Sequence, residues 1–272
     1  MPGRVAAVIP LTLLLVAAAF EPLRLPMQLA LVIGFVATVR ADPGRGGPAH
    51  AIAHVYGACT LVVLSMVWSG IALPASARDG STCASVLAPF ALYRAAGALL
   101  VLTAVALVVR SLGSTGAEIG VRRVSPTGAA LALGALVAVG LVATFIGPAL
   151  AEPFFGPLPV AREDLAALLP ALLFAVANAS MEETVYRGVL LRWVMRSHST
   201  AVAMAVQAAA FGLAHGVGGD FAGSPVPVVA ATAVGGLAFG AIALHTGSLI
   251  LPIAIHAALD IPIYYANACL QP

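Results

Sequence analysis

The chain has 272 residues, 61% hydrophobic and only 9% charged, with a mean hydropathy of +1.04. An average soluble domain carries roughly 25% charged residues, so a soluble globular protein is excluded and an integral membrane protein is expected. All 13 basic residues are arginine and the net charge is +2, which leaves no basic footprint for nucleic acid beyond Arg122-Arg123.

Apolar runs predict helices over residues 5–20, 25–39, 51–73, 87–109, 129–151, 165–191, 200–214, 228–244 and 249–267. The expected fold is all-α, a polytopic transmembrane bundle of about eight or nine helices. The first two runs are short beside the about 17–25 residues that a full crossing needs, and the second, preceded by Pro22 and Pro26, pairs with the first as a tilted or partial span. Residues 5–20 follow Arg4 as a signal-peptide core would, yet Glu21-Pro22 and further apolar sequence come next, which favours an uncleaved helix.

Breakers place loops at Asp42 to Pro48, Arg78 to Ser81, Ser111 to Gly128, Pro153 to Pro159 and Gly216 to Pro227. The polar stretch from Arg110 to Gly128 is expected to divide an amino-terminal accessory group of helices, residues 1–128, from the bundle of residues 129–272. With nine crossings, eight arginines (4, 40, 45, 110, 122, 123, 192 and 196) fall on one side and three (24, 78 and 162) on the other. The positive-inside tendency then puts the amino terminus in the cytoplasm. The three cysteines, Cys59, Cys83 and Cys269, lie far apart, show no zinc-finger spacing and suggest no disulfide framework.

The segment from Leu165 to Met195 is long for one crossing: about thirty helical residues reach roughly 45 Å, against a hydrocarbon core near 30 Å. It carries Asn178, Glu182, Glu183 and Arg187. Later runs carry Phe211 with His215 and His256 with Asp260, each pair one helical turn apart on a common face. Ionisable groups at membrane depth are costly, so this set is first a functional site. Glu183 and Arg187 read as an internal ion pair or as a carboxylate held ionised to orient a neighbour. Glu182, with Tyr186 four residues on, is free to bind a water or a metal and to act as general base. Asn178, one turn before Glu182, either bonds it or bridges to another helix, and the bridge is favoured.

Two histidines plus a carboxylate match the protein ligands of a catalytic zinc site, although HExxH is absent. The metal candidates are Glu182, His215 and His256, for a divalent ion with zinc the expected one. The same groups could work without metal, Glu182 and His215 activating water and His256 stabilising an oxyanion. An ionised Asp260 accepts hydrogen bonds only, so it orients His256 or binds a cation, which tilts the reading toward metal. His54 reads as a packed core histidine, Arg94 as snorkelling or paired, and Thr246-Gly247-Ser248 as a tight turn.

The order EExxxR, FxxxH, HxxxD, with Leu244-His245-Thr246-Gly247-Ser248 before the last motif, resembles the family of CAAX prenyl proteases and bacteriocin-processing enzymes, called CPBP or Abi, over about residues 165–265. The resemblance implies an intramembrane endopeptidase with a bundle of about eight helices. Glu182 would activate water, Glu183 and Arg187 complete the first motif, and His215 and His256 are the two essential histidines. Asp260 departs from the asparagine of many relatives, which bears on any direct oxyanion role. Family members are commonly named metalloproteases, with the need for metal argued both ways. The implied partners are membrane lipid and a peptide or membrane-protein substrate. Eukaryotic members trim prenylated proteins, while bacterial relatives are linked to peptide maturation and self-immunity. The arginine-only, alanine-rich composition fits a bacterial cell membrane. The competing reading is a non-catalytic scaffold or bacteriocin self-immunity protein; a proton-relay transporter is disfavoured because the chain lacks repeated halves with broken helices.

Overall fold

The computed structural model describes residues 6–42, 47–69, 83–85, 87–155, 165–216 and 224–269. Among these the chain is all helical: α1 (Val8–Ala19), α2 (Arg24–Ala41), α3 (Pro48–Ser69), α4 (Pro89–Ser111), α5 (Pro126–Phe155), α6 (Leu168–Glu183), a π-helical stretch (Thr184–Leu190), α7 (Leu191–Val194), α8 (Thr200–His215), α9 (Val226–Thr246) and α10 (Ile250–Ala268). Among the described residues, six helical stretches are long and apolar enough to cross a membrane, while α1, α8 and residues 250–265 are shorter. The protein is an integral membrane helical bundle. The expected loop at Arg78 to Ser81 lies outside the described residues, as do residues 43–46, 156–159 and 217–223 of three other expected loops and the arginines at 4, 45, 78 and 162.

Local signals set the boundaries. Ser199 caps α8 by accepting the Val202 amide at 3.3 Å, and Pro89 opens α4, where a missing amide hydrogen costs nothing. Gly247 ends α9 in the left-handed conformation, φ +66°, and the Ser248 hydroxyl accepts the Ile250 amide at 3.3 Å to start α10. The expected turn is therefore present.

Two packed groups place the site. One buried cluster joins Leu14 of α1, Val62 of α3, Val101 of α4, Val189 of the π-helix, Trp193 of α7 and Phe211 of α8. A second joins Phe174 of α6, Ala257 and Tyr264 of α10, and Cys83. Helix α10 lies against both α5 and α6, and α8 lies along α9. The last contact is close because Gly236 and Gly240 carry no Cβ: at Gly240 one would stand 2.8 Å from Met204 Sδ, and at Gly236 3.1 Å from Ala208 Cα.

Two features depart from the sequence reading. Cys83 and Cys269 form a disulfide, correcting the expectation that the cysteines build no such link. Hydropathy carries no record of which ends meet, and the partners are 186 residues apart. The long sixth segment is not one regular α-helix either: after Glu183 the ladder widens into seven fully buried π-helical residues before α7 resumes.

The connection from Leu112 to Ser125 is also more than a divider. Its 3₁₀ turn, Gly116–Ile119, packs on the π-helix, where a Cβ on Gly188 would stand 2.9 Å from the Ile119 carbonyl oxygen. The Gly120 carbonyl accepts the Leu249 amide at 3.2 Å. Arg196 pairs with Glu118 and donates to His54 Nε2 at 2.7 Å, while His54 Nδ1 donates to the His50 carbonyl at 2.8 Å. His54 is buried and hydrogen-bonded, as its reading as a core histidine anticipated.

Candidate active site

Helix α6 offers Asn178 and Glu182 on one face and Glu183 beside them; α8 brings His215 in its last turn; α10 brings His256 and Asp260. The structure draws all six predicted residues, and Asn178, into one cluster. Glu182 lies about 21 Å along its helix from Leu168, at 1.5 Å per residue.

Each contact has a direction that chemistry dictates. His215 Nδ1 stands 2.7 Å from the Phe211 carbonyl oxygen, which has no hydrogen to give, so the ring hydrogen sits there. His256 Nδ1 stands 2.8 Å from Glu183 Oε1, and a carboxylate oxygen fixes the same tautomer. In its neutral form each ring then turns a bare Nε2 lone pair inward. Glu182 Oε2 faces them, 3.9 Å from His215 Nε2 and 3.7 Å from His256 Nε2, with no hydrogen-bond partner among the described residues. Asp260 Oδ1 lies 3.7 Å from His256 Nε2 on its other side. Two carboxylate oxygens and two imidazole nitrogens thus converge on one place.

The buried charge of Glu183 is answered by Arg187, whose Nη1 lies 3.1 Å from Glu183 Oε1; both side chains are fully buried. The pair is ionic rather than hydrogen-bonded: none of the three guanidinium nitrogens has a partner in hydrogen-bond geometry among the described residues. The guanidinium instead lies 4.1 Å from the Phe211 ring, with Phe239 at 5.5 Å and Tyr186 at 5.7 Å. Aromatic faces attract a desolvated cation. Phe239 also stacks on the His256 ring, centroids 5.6 Å apart and 13° from parallel, so one side chain braces both. No residue pattern marks Phe239 in advance; an aromatic on an apolar span reads as lipid-facing until the fold turns it inward.

Asn178 bridges as expected, its Nδ2 donating to Asp260 Oδ2 at 2.8 Å. Arg94 lies 5.6 Å from the Phe174 ring, joining α4 to α6.

Glu182, His215 and His256 are side chains of the kinds a divalent metal takes as ligands. Among the described residues, no group of three or more His, Cys, Asp or Glu side chains already stands in metal-holding geometry.

Residues 164–262 match the family model described as type II CAAX prenyl endopeptidase Rce1-like. Over this segment the chain is similar to the CAAX protease family. The Rce1-like segment contains every residue of the cluster and begins after α5, so the helices before it lie outside the match. No curated protein and no solved structure matches the chain.

Proposed function

We propose that the chain is an intramembrane endopeptidase in which Glu182 activates the attacking water. The observation that carries this is the bare Glu182 Oε2, facing two histidine nitrogens whose ring hydrogens are engaged elsewhere. A water placed there finds acceptors for both of its hydrogens and is left with a lone pair for a peptide carbonyl. As the O–C bond forms, Glu182 takes the water proton; as the C–N bond breaks, that proton passes to the leaving amine. Glu183, pinned by Arg187, holds the His256 ring so that its Nε2 stays turned to this point.

The same tautomers weigh on the choice between metal ligand and oxyanion donor. A neutral His256 hydrogen-bonded through Nδ1 has no Nε2 hydrogen to donate, which favours its lone pair serving a cation or a water. A divalent ion held by Glu182, His215 and His256, zinc being the natural choice, would supply polarisation of the carbonyl and a more acidic water. Asp260 accepts from Asn178 and flanks His256; it is an orienting carboxylate rather than an oxyanion donor.

The substrate proposed is a peptide or membrane protein reached from lipid, and the family description makes a prenylated carboxyl terminus the first peptide to try. Orientation with the amino terminus in the cytoplasm is supported by two features at opposite ends of α10. Arg122 and Arg192 gather near Leu249, whereas the disulfide sits at Cys269, and disulfides persist on the oxidising side of a membrane. The arginine-only composition supports a bacterial membrane.

The test is a survey of peptide termini in host membranes carrying wild-type protein or Glu182→Gln at matched abundance. Products that vanish with Glu182→Gln support the protease; identical termini overturn it and leave the scaffold or immunity reading.

A further inference from the structure

Position 260 holds a carboxylate inside an already acidic cluster, and among the described residues its hydrogen bond comes from the amide of Asn178, 82 residues away in sequence, at 2.8 Å. The bond is directional in a way that decides its role. An amide NH₂ can satisfy a carboxylate, whereas an asparagine oxygen cannot, so Asn178 must turn its nitrogen toward Asp260. That leaves Asn178 Oδ1 buried with no hydrogen-bond partner among the described residues, and the side chain is 7% exposed. A buried polar group left half satisfied is costly, so the gain must lie in what the other half holds. The amide holds Asp260 Oδ2, which leaves Oδ1 as the oxygen 3.7 Å from His256 Nε2. The His256 ring is fixed on its far edge by Glu183 at 2.8 Å and on its face by Phe239. Asn178 therefore closes a chain, Asn178–Asp260–His256–Glu183–Arg187, that wraps the water-binding oxygen of Glu182, one turn along from Asn178 on the same helix.

We propose that Asn178 is a positioning residue of the active site: by pinning one oxygen of Asp260 it keeps the other against His256 Nε2, and it sets α6 against α10 at the level of Glu182. The proposal rests on the hydrolase reading for its rate consequence and on geometry alone for its effect on His256.

Four variants in detergent micelles test it: Asn178→Ala, Asn178→Asp, Asp260→Asn, and the exchange Asn178→Asp with Asp260→Asn. The first readout is the rate at which diethyl pyrocarbonate modifies His256, mapped by mass spectrometry, with the more exposed His215 as internal reference. The second is the thermal midpoint. The third is cleavage of an internally quenched peptide bearing a farnesylated cysteine four residues from its end. Asn178→Ala is expected to raise His256 modification at least about threefold over His215, and to lower kcat at least about tenfold with KM within about twofold. Asn178→Asp sets two carboxylates against each other and lowers the midpoint. The exchange restores the helix-to-helix bond, and with it the midpoint, but leaves no carboxylate at position 260 beside His256 Nε2, so modification stays fast and kcat low. Wild-type modification in Asn178→Ala overturns the proposal, and so does an exchange variant that regains wild-type modification along with its midpoint, which would make Asn178 a helix clip only. Should the wild-type protein cleave no peptide, the hydrolase reading falls, while modification and melting still decide the role of Asn178.

Discussion

Two Glu–Arg pairs in this protein invite comparison. Glu118 and Arg196 meet beside the loop before α5, partly exposed, and both are hydrogen-bonded: Arg196 reaches Glu118, His54 and Ser114, and Thr115 donates to Glu118 at 3.2 Å. Glu183 and Arg187 meet in the bundle interior, fully buried, and the guanidinium has no hydrogen-bond partner among the described residues. At the edge, water and loop groups complete the pairing and the charges cost little. In the interior an aromatic box and the charges of Glu183 and Glu182 face the cation, and Glu183 is already engaged with His256. The outer pair fastens a loop; the inner pair leaves hydrogen bonds unsatisfied while it holds a ring of the active site, an arrangement expected where ionisable groups at membrane depth serve function.

The comparison breaks most visibly at Glu182, whose Oε2 has no hydrogen-bond partner among the described residues. Glu182→Gln keeps the shape and removes the base, and a loss of about a thousandfold in cleavage is expected, within the range of general base catalysis. A folded Glu182→Gln protein with full activity would end the mechanism.

Removing the inner cation is the next largest perturbation. Arg187→Met leaves Glu183 as an uncompensated buried charge, and such a break costs about 3–5 kcal/mol. Adding Glu183→Gln to it should return much of the lost thermal midpoint without returning activity, because His256 has lost the carboxylate that sets its tautomer. If the double variant melts no higher than the single, charge is not what Arg187 supplies.

What the sequence made legible divides along the same line. Local chemistry was readable: spans from hydropathy, the turn at Gly247, and three motifs whose i, i+4 spacing put their groups on one face. The convergence of those faces was expected from the cost of burying their charges and from the resemblance, but not the packing that achieves it, because helix-to-helix packing depends on small residues such as Gly236 and Gly240 whose role appears once the neighbour is known. The π-helix leaves no pattern in residue type, and Phe239 looks like any lipid-facing aromatic. Asn178 was legible as a bridge but not as a bridge to Asp260, since nothing local points across 82 residues.

The disulfide sharpens the comparison from the outer end. Cys83→Ser should lower stability by about 2–4 kcal/mol, read as a lower thermal midpoint under non-reducing conditions, and reductant should have the same effect on the wild-type protein. The lesion lies at the far end of α10, next to the 2.8 Å bond from the Tyr264 hydroxyl to the Cys83 carbonyl, so α10 should loosen there first. In intact cells, a membrane-impermeant maleimide should label Cys269 of the Cys83→Ser variant. Labelling only after the membrane is opened would reverse the orientation proposed above.

The outer pair gives the smallest effect and the clearest sign. Burial pulls the Glu118 carboxyl upward, but the hydrogen bond and charge of Arg196 outweigh that and hold it below its ordinary value of 4.5. A carboxyl depressed on folding stabilises at pH above its unfolded value, and that stability fades as pH falls through the folded one. The melting temperature should therefore drop below about pH 4.5 more steeply in the wild-type protein than in Glu118→Gln. Solvent screening keeps the difference under about 1 kcal/mol, and it should shrink further in high salt. The loop that Glu118 fastens touches both the π-helix and the start of α10, so the same variant also asks whether the edge feeds the interior. Unchanged cleavage at neutral pH is the expected answer, since the Gly120–Leu249 bond and the contact on Gly188 survive without the charge.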